Sequence, residues 1–171
     1  MNFEQLIPNP EPEPEEDLDT IIAEMTEIIV QDPNDARAYF RRGNAHSNKG
    51  EYEETKRDMT RVIEMEPGNV MAHNNRGVAH LCTNDPQSAI RDITRAIELD
   101  PTYRDAYHNR GLAYSELEEL DMALADLDTA IELDPSHWSA FRHRGIIHQM
   151  KGNQDASYKD YLRARELEIS G

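Results

Sequence analysis

The chain has 171 residues, of which 37% are hydrophobic and 30% are charged. This length allows one domain or a short array of repeats, and the low hydrophobic content favours thin layers over one thick core. The net charge of −16 disfavours binding to nucleic acids or to an anionic membrane surface, because both would be repelled.

The cysteine content and the hydropathy pattern exclude further classes of protein. One cysteine, Cys82, cannot form an intramolecular disulfide or a zinc site of several thiolates. No apolar stretch approaches the ~20 residues that a membrane-spanning helix needs. The N-terminus also lacks the basic and apolar regions of a secretory signal. These features predict a soluble, cytoplasmic protein.

Residues 1–16 (MNFEQLIPNPEPEPEE) are rich in Pro and Glu. Proline removes helical hydrogen bonds and clustered carboxylates repel one another, so we expect an acidic, disordered arm. Phe3, Leu6 and Ile7 form a small apolar cluster within it. Two interpretations stay open: an ordinary ragged terminus, or a docking segment that lies in a groove of the same or another copy.

A helical pattern begins after the arm. Apolar residues follow i, i+3, i+4 spacing from Leu18 to Ile29, and the pattern ends before Pro33. Residues 17–33 are therefore predicted to form one amphipathic helix.

The remaining chain repeats with a period of 34 residues. Glycines recur at Gly43, Gly77, Gly111 and Gly145, and prolines recur at Pro33, Pro67, Pro101 and Pro135. The repeat divides the chain into four units, at residues 36–69, 70–103, 104–137 and 138–171. Each unit is predicted to contain two helices, with Gly50 and Gly152 as C-caps and Asp85-Pro86 as a helix start.

Side chains of similar size occupy equivalent positions in the four units. The bulky position near the start of each unit holds Tyr39, His73, Tyr107 and Phe141, and the small position in the second helix holds Thr55, Ala89, Ala123 and Ser157. A large residue (Met59, Ile93, Leu127, Tyr161) and a close-contact residue (Val62, Ala96, Ala130, Ala164) follow. This pattern resembles the tetratricopeptide repeat. The resemblance implies an all-α, right-handed superhelical solenoid of antiparallel helix pairs, with residues 17–33 as a degenerate half-repeat.

Arginine and aspartate also recur in phase. Arg42, Arg76, Arg110 and Arg144 each precede a repeat glycine, and Asp58, Asp92, Asp126 and Asp160 follow them by 16 residues. We expect an Arg–Asp bridge, either between paired helices or between one unit and its neighbour. The alternative is a ladder of arginines for an anionic ligand.

No catalytic constellation is evident. The glycines are isolated in helices, and no nucleophile has a convincing base and orienting group. His46, His80 and His148 occupy the position of Tyr114 and are interpreted as packing residues. We therefore predict no enzyme activity, no cofactor and no metal site.

The family resemblance implies that the first helices line a concave groove. The residues expected to face it are Arg37, Phe40, Arg41, Asn44, Met71, Asn74, Asn75, Val78, His108, Asn109, Leu112, Arg142, His143 and Ile146. Amides can donate to and accept from a peptide backbone, and the arginines favour some acidic groups in a ligand. The alternative is that these polar residues only solvate the surface.

Some tetratricopeptide domains bind a chaperone C-terminus with a clamp of two Lys, two Asn and one Arg. Asn44 and Asn75 occupy the two Asn positions, but Phe40 and Asp105 replace the lysines and Asn109 replaces the arginine. We therefore do not expect a chaperone-tail clamp.

Two functions remain. The first is a non-enzymatic adaptor that binds an extended peptide or protein segment in the groove. The second is a structural scaffold that self-assembles through the array ends or the N-terminal arm. No separate solvating helix follows unit four, so its end is either covered by its own polar residues or buried in a homodimer.

Overall fold

The structure is a computed structural model that describes residues 17–170, except the side chain of Ser170; the predicted arm lies outside the described residues. Within this range the chain is all-α and contains nine helices: α1 (Leu18–Gln31), α2 (Ala36–Asn48), α3 (Tyr52–Met65), α4 (Val70–Cys82), α5 (Pro86–Leu99), α6 (Arg104–Glu116), α7 (Leu120–Leu133), α8 (Trp138–Met150) and α9 (Gln154–Ser170).

Local sequence signals determine where the helices begin and end. The Oδ1 atoms of Asp35, Asn69 and Asp85 accept backbone N–H groups in the first turns of α2, α4 and α5, at 3.0–3.1 Å. Pro86 is the first residue of α5, as predicted. Each repeat proline is the second residue after a helix end, where it stops the helix from continuing.

The turn inside each helix pair contains one residue with a left-handed backbone. Gly50 and Gly152 have φ values of 77° and 79°, which confirms their predicted role as C-caps. Asn84 and Glu118 take the same conformation at the equivalent positions, with φ of 60° and 58°. Asn tolerates this region, whereas Glu is strained there, so position 118 follows the geometry of the repeat against its own preference.

Each helix packs against the next one in the chain. We call α2, α4, α6 and α8 the first helices, and α3, α5, α7 and α9 the second helices. Neighbouring first helices also contact one another, whereas neighbouring second helices do not within residues 17–170. The first helices therefore line the shorter, inner side of a superhelix, which we call the inner wall.

Small residues allow the helices to approach closely. The core consists largely of buried alanines, with a large side chain at the equivalent position of three pairs: Met59, Ile93 and Leu127 are each 0% exposed. These three confirm the predicted large position, whereas Tyr161 on α9 is 37% exposed, since within residues 17–170 only α8 packs against this helix. The core is thus a row of thin layers, as expected for a repeat array.

The repeat glycines mark the closest approach within a pair. A Cβ atom on Gly77 would lie 2.5 Å from Cγ1 of Ile93, and one on Gly111 would lie 3.1 Å from Cγ of Leu127. Glycine in a helix costs ~0.5–1 kcal/mol relative to alanine. The period of 34 therefore places a costly residue only where the partner helix leaves no room for a methyl group.

Each repeat arginine joins three helices. Its Nε and Nη2 atoms donate to both carboxylate oxygens of the aspartate 16 positions later, at 2.6–2.8 Å, in the pairs Arg42–Asp58, Arg76–Asp92, Arg110–Asp126 and Arg144–Asp160. Its Nη1 atom donates to the residue 16 positions earlier, on the preceding second helix: Thr26, Thr60, Thr94 or Asp128.

We call this arrangement the three-helix arginine bridge. The predicted Arg–Asp bridge lies between paired helices, and the contact with the preceding unit is made to Thr26, Thr60, Thr94 or Asp128 instead. The guanidinium groups also lie over aromatic rings, as for Arg42 and Tyr39 with 5.5 Å to the centroid. Hydrogen bonding to its aspartate raises the pKa of Arg42 and of Arg110. Because these donors are occupied, the structure argues against an arginine ladder for an anionic ligand.

The bridge generates a prediction for stability. Arg110 and Asp126 have side chains only 17% and 9% exposed, so Arg110→Ala or Asp126→Ala leaves a partly buried charge without its partner. We expect each change to lower the free energy of unfolding by about 2–4 kcal/mol, between the values for exposed and buried pairs. The double variant should lose much less than the sum, as measured by denaturant unfolding.

Arg95→Ala is the matched control, because Arg95 pairs with Glu98 on the surface of α5 and such pairs contribute ~0.2–1 kcal/mol. Small and additive losses at positions 110 and 126 would contradict the bridge as a source of stability.

Candidate functional site

A chain of side-chain amides crosses the inner wall. Nδ2 of Asn75 donates to Oδ1 of Asn44 at 2.9 Å, which joins α4 to α2. Nδ2 of Asn74 donates to Oδ1 of Asn75 at 3.2 Å, and Nδ2 of Asn109 donates to Oδ1 of Asn74 at 3.0 Å, which joins α6 to α4. We call these four residues the asparagine chain. It links three consecutive first helices along one polar line.

A group of three histidines continues the polar line toward α8. Nε2 of His108 lies 2.8 Å from Nδ1 of His143, within hydrogen-bonding distance. The centroid of the His108 ring lies 4.9 Å from the centroids of both His143 and His137, and His137 comes from the turn before α8. We call these residues the histidine cluster.

Burial keeps the histidine cluster neutral. It lowers the pKa of His108 to about 4, and the rings of His143 and His137 shift it in the same direction. Burial is also the main cause of the lowered pKa of His137 and His143, to which the positive charges of Arg104 and Arg142 add respectively. All three imidazoles are therefore uncharged at pH 7.

The residues predicted to face the groove differ in exposure. Five are exposed: Arg37, Arg41, Met71, Arg142 and Ile146. Eight are half-buried: Phe40, Asn44, Asn75, Val78, His108, Asn109, Leu112 and His143. Asn74 is only 4% exposed and lies beneath the surface, where its amide connects Asn109 to Asn75. Asn74 therefore lies inside the wall, where it positions the amides of Asn75 and Asn109.

Two depressions occur on this part of the molecule. One, of about 340 Å³, is lined by Asn44, Ser47, Asn48, Asn75 and Val78. The other, of about 290 Å³, is lined by Ala36, Arg37, Phe40, Arg41, Glu66 and Asn69. The first is lined mainly by polar side chains together with Val78, and the second combines an aromatic ring with cations. Together they place amide, aromatic and cationic groups at the α2 end of the inner wall.

Larger depressions lie outside the inner wall. One of about 530 Å³, beside α3, is lined by residues that include Lys56, Arg61 and Arg76. Lys56 pairs with Glu53, Arg61 with Glu64 and Arg76 with Asp92. Because these cations already have acidic partners, this depression is a weaker candidate for a binding site.

Several residues of the wall were not predicted from the sequence. Ser47, Asn48, Glu66 and Asn69 line the two depressions, and His137 belongs to the histidine cluster. Asn69 and His137 immediately precede first helices, at equivalent positions of units one and three. This position was the sequence signal that could have identified Asn69 and His137, because the residue before a first helix lies at the same end of every helix pair.

Other kinds of site have little support in the described part of the chain. Within residues 17–170, no three His, Cys, Asp or Glu side chains are placed to hold a metal ion, and Cys82 is exposed. In the same range, each helix is too short or too polar to cross a membrane.

Family models of the tetratricopeptide repeat match residues 25–57, 70–103 and 105–137, which together make up more than half of the chain. The chain belongs to the tetratricopeptide repeat family. The match at residues 25–57 includes the second half of α1 with α2. No curated protein matches the sequence.

Solved structures share this tetratricopeptide fold. A crystal structure of MamA is 25% identical with a TM-score of 0.81, over 90% of each chain. YrrB, described as a tetratricopeptide protein with an unusual peptide-binding site, is 24% identical with a TM-score of 0.72, over 89% of this chain and 78% of that one. The first such domain of Spaghetti (RPAP3), bound to the HSP90 peptide SRMEEVD, is 27% identical with a TM-score of 0.66, over 68% and 93%.

The neutral histidine cluster generates a prediction for pH dependence. An unfolded histidine has a pKa of about 6.5, whereas His108 in this tetratricopeptide fold has a pKa of about 4. The unfolded state binds more protons between these values, so stability is lost as the pH falls through this window. From pH 7 to pH 5, the wild type should lose about 2 kcal/mol more free energy of unfolding than His108→Gln.

Chemical denaturation at several pH values measures this difference. His148→Gln is the control, because His148 lies on α8 outside the cluster, near Asp160. Equal pH dependence of the wild type and His108→Gln would contradict the proposed burial of a neutral His108.

Proposed function

We propose that this chain is a non-enzymatic adaptor that holds an extended peptide or protein segment against its inner wall. The observation that carries the proposal is the asparagine chain, with exposed Arg37 and Arg41 on α2 and exposed Arg142 on α8 of the same inner wall. No covalent step is involved, and the rigid helices act by positioning side chains. The predicted groove residues other than the buried Asn74 are the proposed contact surface.

The asparagine chain is suited to a peptide backbone. Its internal bonds use one N–H of Asn75, one of Asn74 and one of Asn109, so each amide keeps a second N–H and further acceptor capacity. Both Nδ2 hydrogens of Asn44 remain outside these bonds. Since the amides hold one another in place, a ligand would lose little free energy in ordering them.

A related domain supports a peptide as the class of ligand. The Spaghetti (RPAP3) domain, at 27% identity, is bound to the peptide SRMEEVD. This chain differs from the chaperone-tail clamp at Phe40, Asp105 and Asn109, and Asp105 pairs with Arg104 at 2.9 Å. We therefore propose a ligand other than a chaperone C-terminus.

The composition supports the remaining parts of the proposal. The net charge of −16 disfavours nucleic-acid and membrane partners. The exposed thiol of Cys82 is compatible with a reducing compartment, which supports the proposed cytoplasmic location.

The proposed surface can be tested by affinity capture. The full chain and the triple variant Arg41→Ala/Asn75→Ala/Asn109→Ala are used as baits, and captured proteins are quantified by mass spectrometry. A partner held on the inner wall should be reduced at least tenfold in the variant, because one cation and two amides are removed from the contact surface.

The control variant Arg91→Ala/Gln87→Ala/Gln154→Ala removes one cation and two amides from exposed positions on second helices. It should capture the same partner at the wild-type level. Both variants are checked for wild-type helicity and melting. Equal capture by all three baits would place the binding surface away from the inner wall.

A second candidate function is a self-assembling scaffold, and the end of the array favours it. Among residues 17–170, α8 is the helix that packs against α9, and Tyr158, Leu162 and Ile169 of α9 are 65%, 41% and 76% exposed. Large exposed apolar side chains in one area often mark a contact surface. The scaffold would form a homodimer through this end.

Multi-angle light scattering separates the two functions. The scaffold predicts dimer at high protein concentration and its loss in Tyr158→Glu/Leu162→Glu, since charges would be buried in the contact. A monomer throughout the concentration series would contradict the scaffold and leave the adaptor unaffected.

A further inference from the structure

The histidine cluster lies on the same inner wall as the asparagine chain, at the opposite end from Arg37 and Arg41. We propose that it is a proton-linked site for a carboxylate of a bound acidic peptide: the imidazoles are neutral in the empty groove, and one takes up a proton from solvent when the carboxylate binds. This inference rests on the proposed function and specifies part of its ligand.

The geometry allows the pair His108–His143 to accept one proton without breaking. In the neutral pair one ring nitrogen donates and the other accepts, across 2.8 Å. The donating ring can take a proton on its other nitrogen and still donate, and a hydrogen bond from an imidazolium is stronger than one from a neutral ring. A second proton would remove the acceptor. The pair is therefore built to carry one positive charge.

His137 adds an incomplete hydrogen-bond set to the cluster. Its Nε2 atom is buried and has no hydrogen-bond partner. The nearest acidic oxygen is Oδ1 of Asp105 at 3.9 Å, which is too far for a hydrogen bond. His73, His80 and His148 also have a buried ring nitrogen without a partner, so histidines outside the cluster share this feature. What distinguishes His137 is its position against the ring of His108, where a carboxylate bound near the cluster would act on both rings.

The fixed charges around the cluster come from three segments. At the start of α6, Arg104 donates to Asp105 at 2.9 Å and also bonds Asp134, which follows α7. On α8, Arg142 acts on His143. Arg104 and the two aspartates thus satisfy one another, and Arg142 remains as an exposed cation beside the pair.

The other packed elements bring their charges elsewhere. On α4, Arg76 bonds Asp92, and the ring of His73 faces the carbonyl of Pro67. On α7, Asp126 is held by Arg110. The contact from α4 to this part of α6 is the neutral amide of Asn74. Asp105 favours a proton on His108 and on His137, and Asp134 favours one on His137, but burial outweighs both and lowers the pKa of each ring. An external carboxylate would add a further charge that favours the protonated cluster.

A bound carboxylate changes the proton affinity of such rings in a known direction. An opposite charge within ~4–6 Å raises the pKa of a histidine by about 1–3 units. The complex then holds a proton that the empty protein does not. By linkage, binding is tighter at lower pH, as long as the peptide itself stays ionised.

Isothermal titration calorimetry with a dodeca-glutamate peptide tests the site, and dodeca-glutamine is the uncharged control. The wild-type chain should bind dodeca-glutamate about two- to tenfold more tightly at pH 6 than at pH 8. At pH 6, two buffers of different ionisation enthalpy should report uptake of up to one proton per complex. Dodeca-glutamine should show neither effect.

Substitutions assign the effect to the cluster. His108→Gln and His143→Gln should each remove the proton uptake and the gain in affinity at pH 6, whereas His148→Gln, outside the cluster, should keep both. If either cluster variant is unfolded, the imidazole resonances of the wild type replace it. In the presence of dodeca-glutamate, those of His108 or His143 should titrate at least one pH unit higher than without it.

The outcomes separate this inference from the proposed function. Binding without proton uptake, or uptake that survives in His108→Gln and His143→Gln, would overturn the histidine site. Absence of dodeca-glutamate binding at 1 mM protein would also overturn it. In each of these cases the adaptor function is tested separately by affinity capture. It is supported if the captured partner is lost in the Arg41→Ala/Asn75→Ala/Asn109→Ala variant, and contradicted if it is not.

Discussion

The arrangement of this solenoid depends on the three-helix arginine bridge. One guanidinium binds the carboxylate of its own pair with two hydrogen bonds and the preceding second helix with a third, as Arg110 does with Asp126 and Thr94. A planar fork of five donors suits this task, whereas a lysine would not reach three helices with defined geometry. Because the bond to the preceding helix crosses between units, the bridge determines how each unit is oriented on the one before.

The orientation of the units in turn sets the register of the inner wall. Asn44 contacts Asn75, 31 residues later, whereas Asn74 contacts Asn109 and His108 contacts His143, each 35 residues later. None of these separations equals the period of 34, because side chains that meet across two helices lie on the facing sides of those helices and so are not at equivalent positions of the repeat. The asparagine chain and the histidine cluster are therefore consequences of one register, maintained by bridges that lie behind them. A change of register would separate both at once.

The difference between equivalent positions of the repeat and neighbouring positions in space explains what could be predicted from the sequence. The period of 34 identifies equivalent positions, and it correctly predicted the large position that Met59, Ile93 and Leu127 occupy and the Arg–Asp pairs. It does not identify neighbours, so the hydrogen bond between Asn74 and Asn109 was not predicted and Asn74 was expected at the surface rather than beneath it. His137 was missed for a related reason, because it lies in a turn between units and not on a first helix.

Packing along the array also bears on how the polar line can function. In a repeat protein each unit gains stability from its neighbours. Each of α2, α4, α6 and α8 packs against the helix before it and the helix after it, so the asparagine chain and His143 are both supported on two sides. The two ends of the polar line therefore differ in chemistry and not in packing. Amides that hold one another in place are suited to constant positioning, and a neutral histidine pair is better suited to a response that depends on protonation.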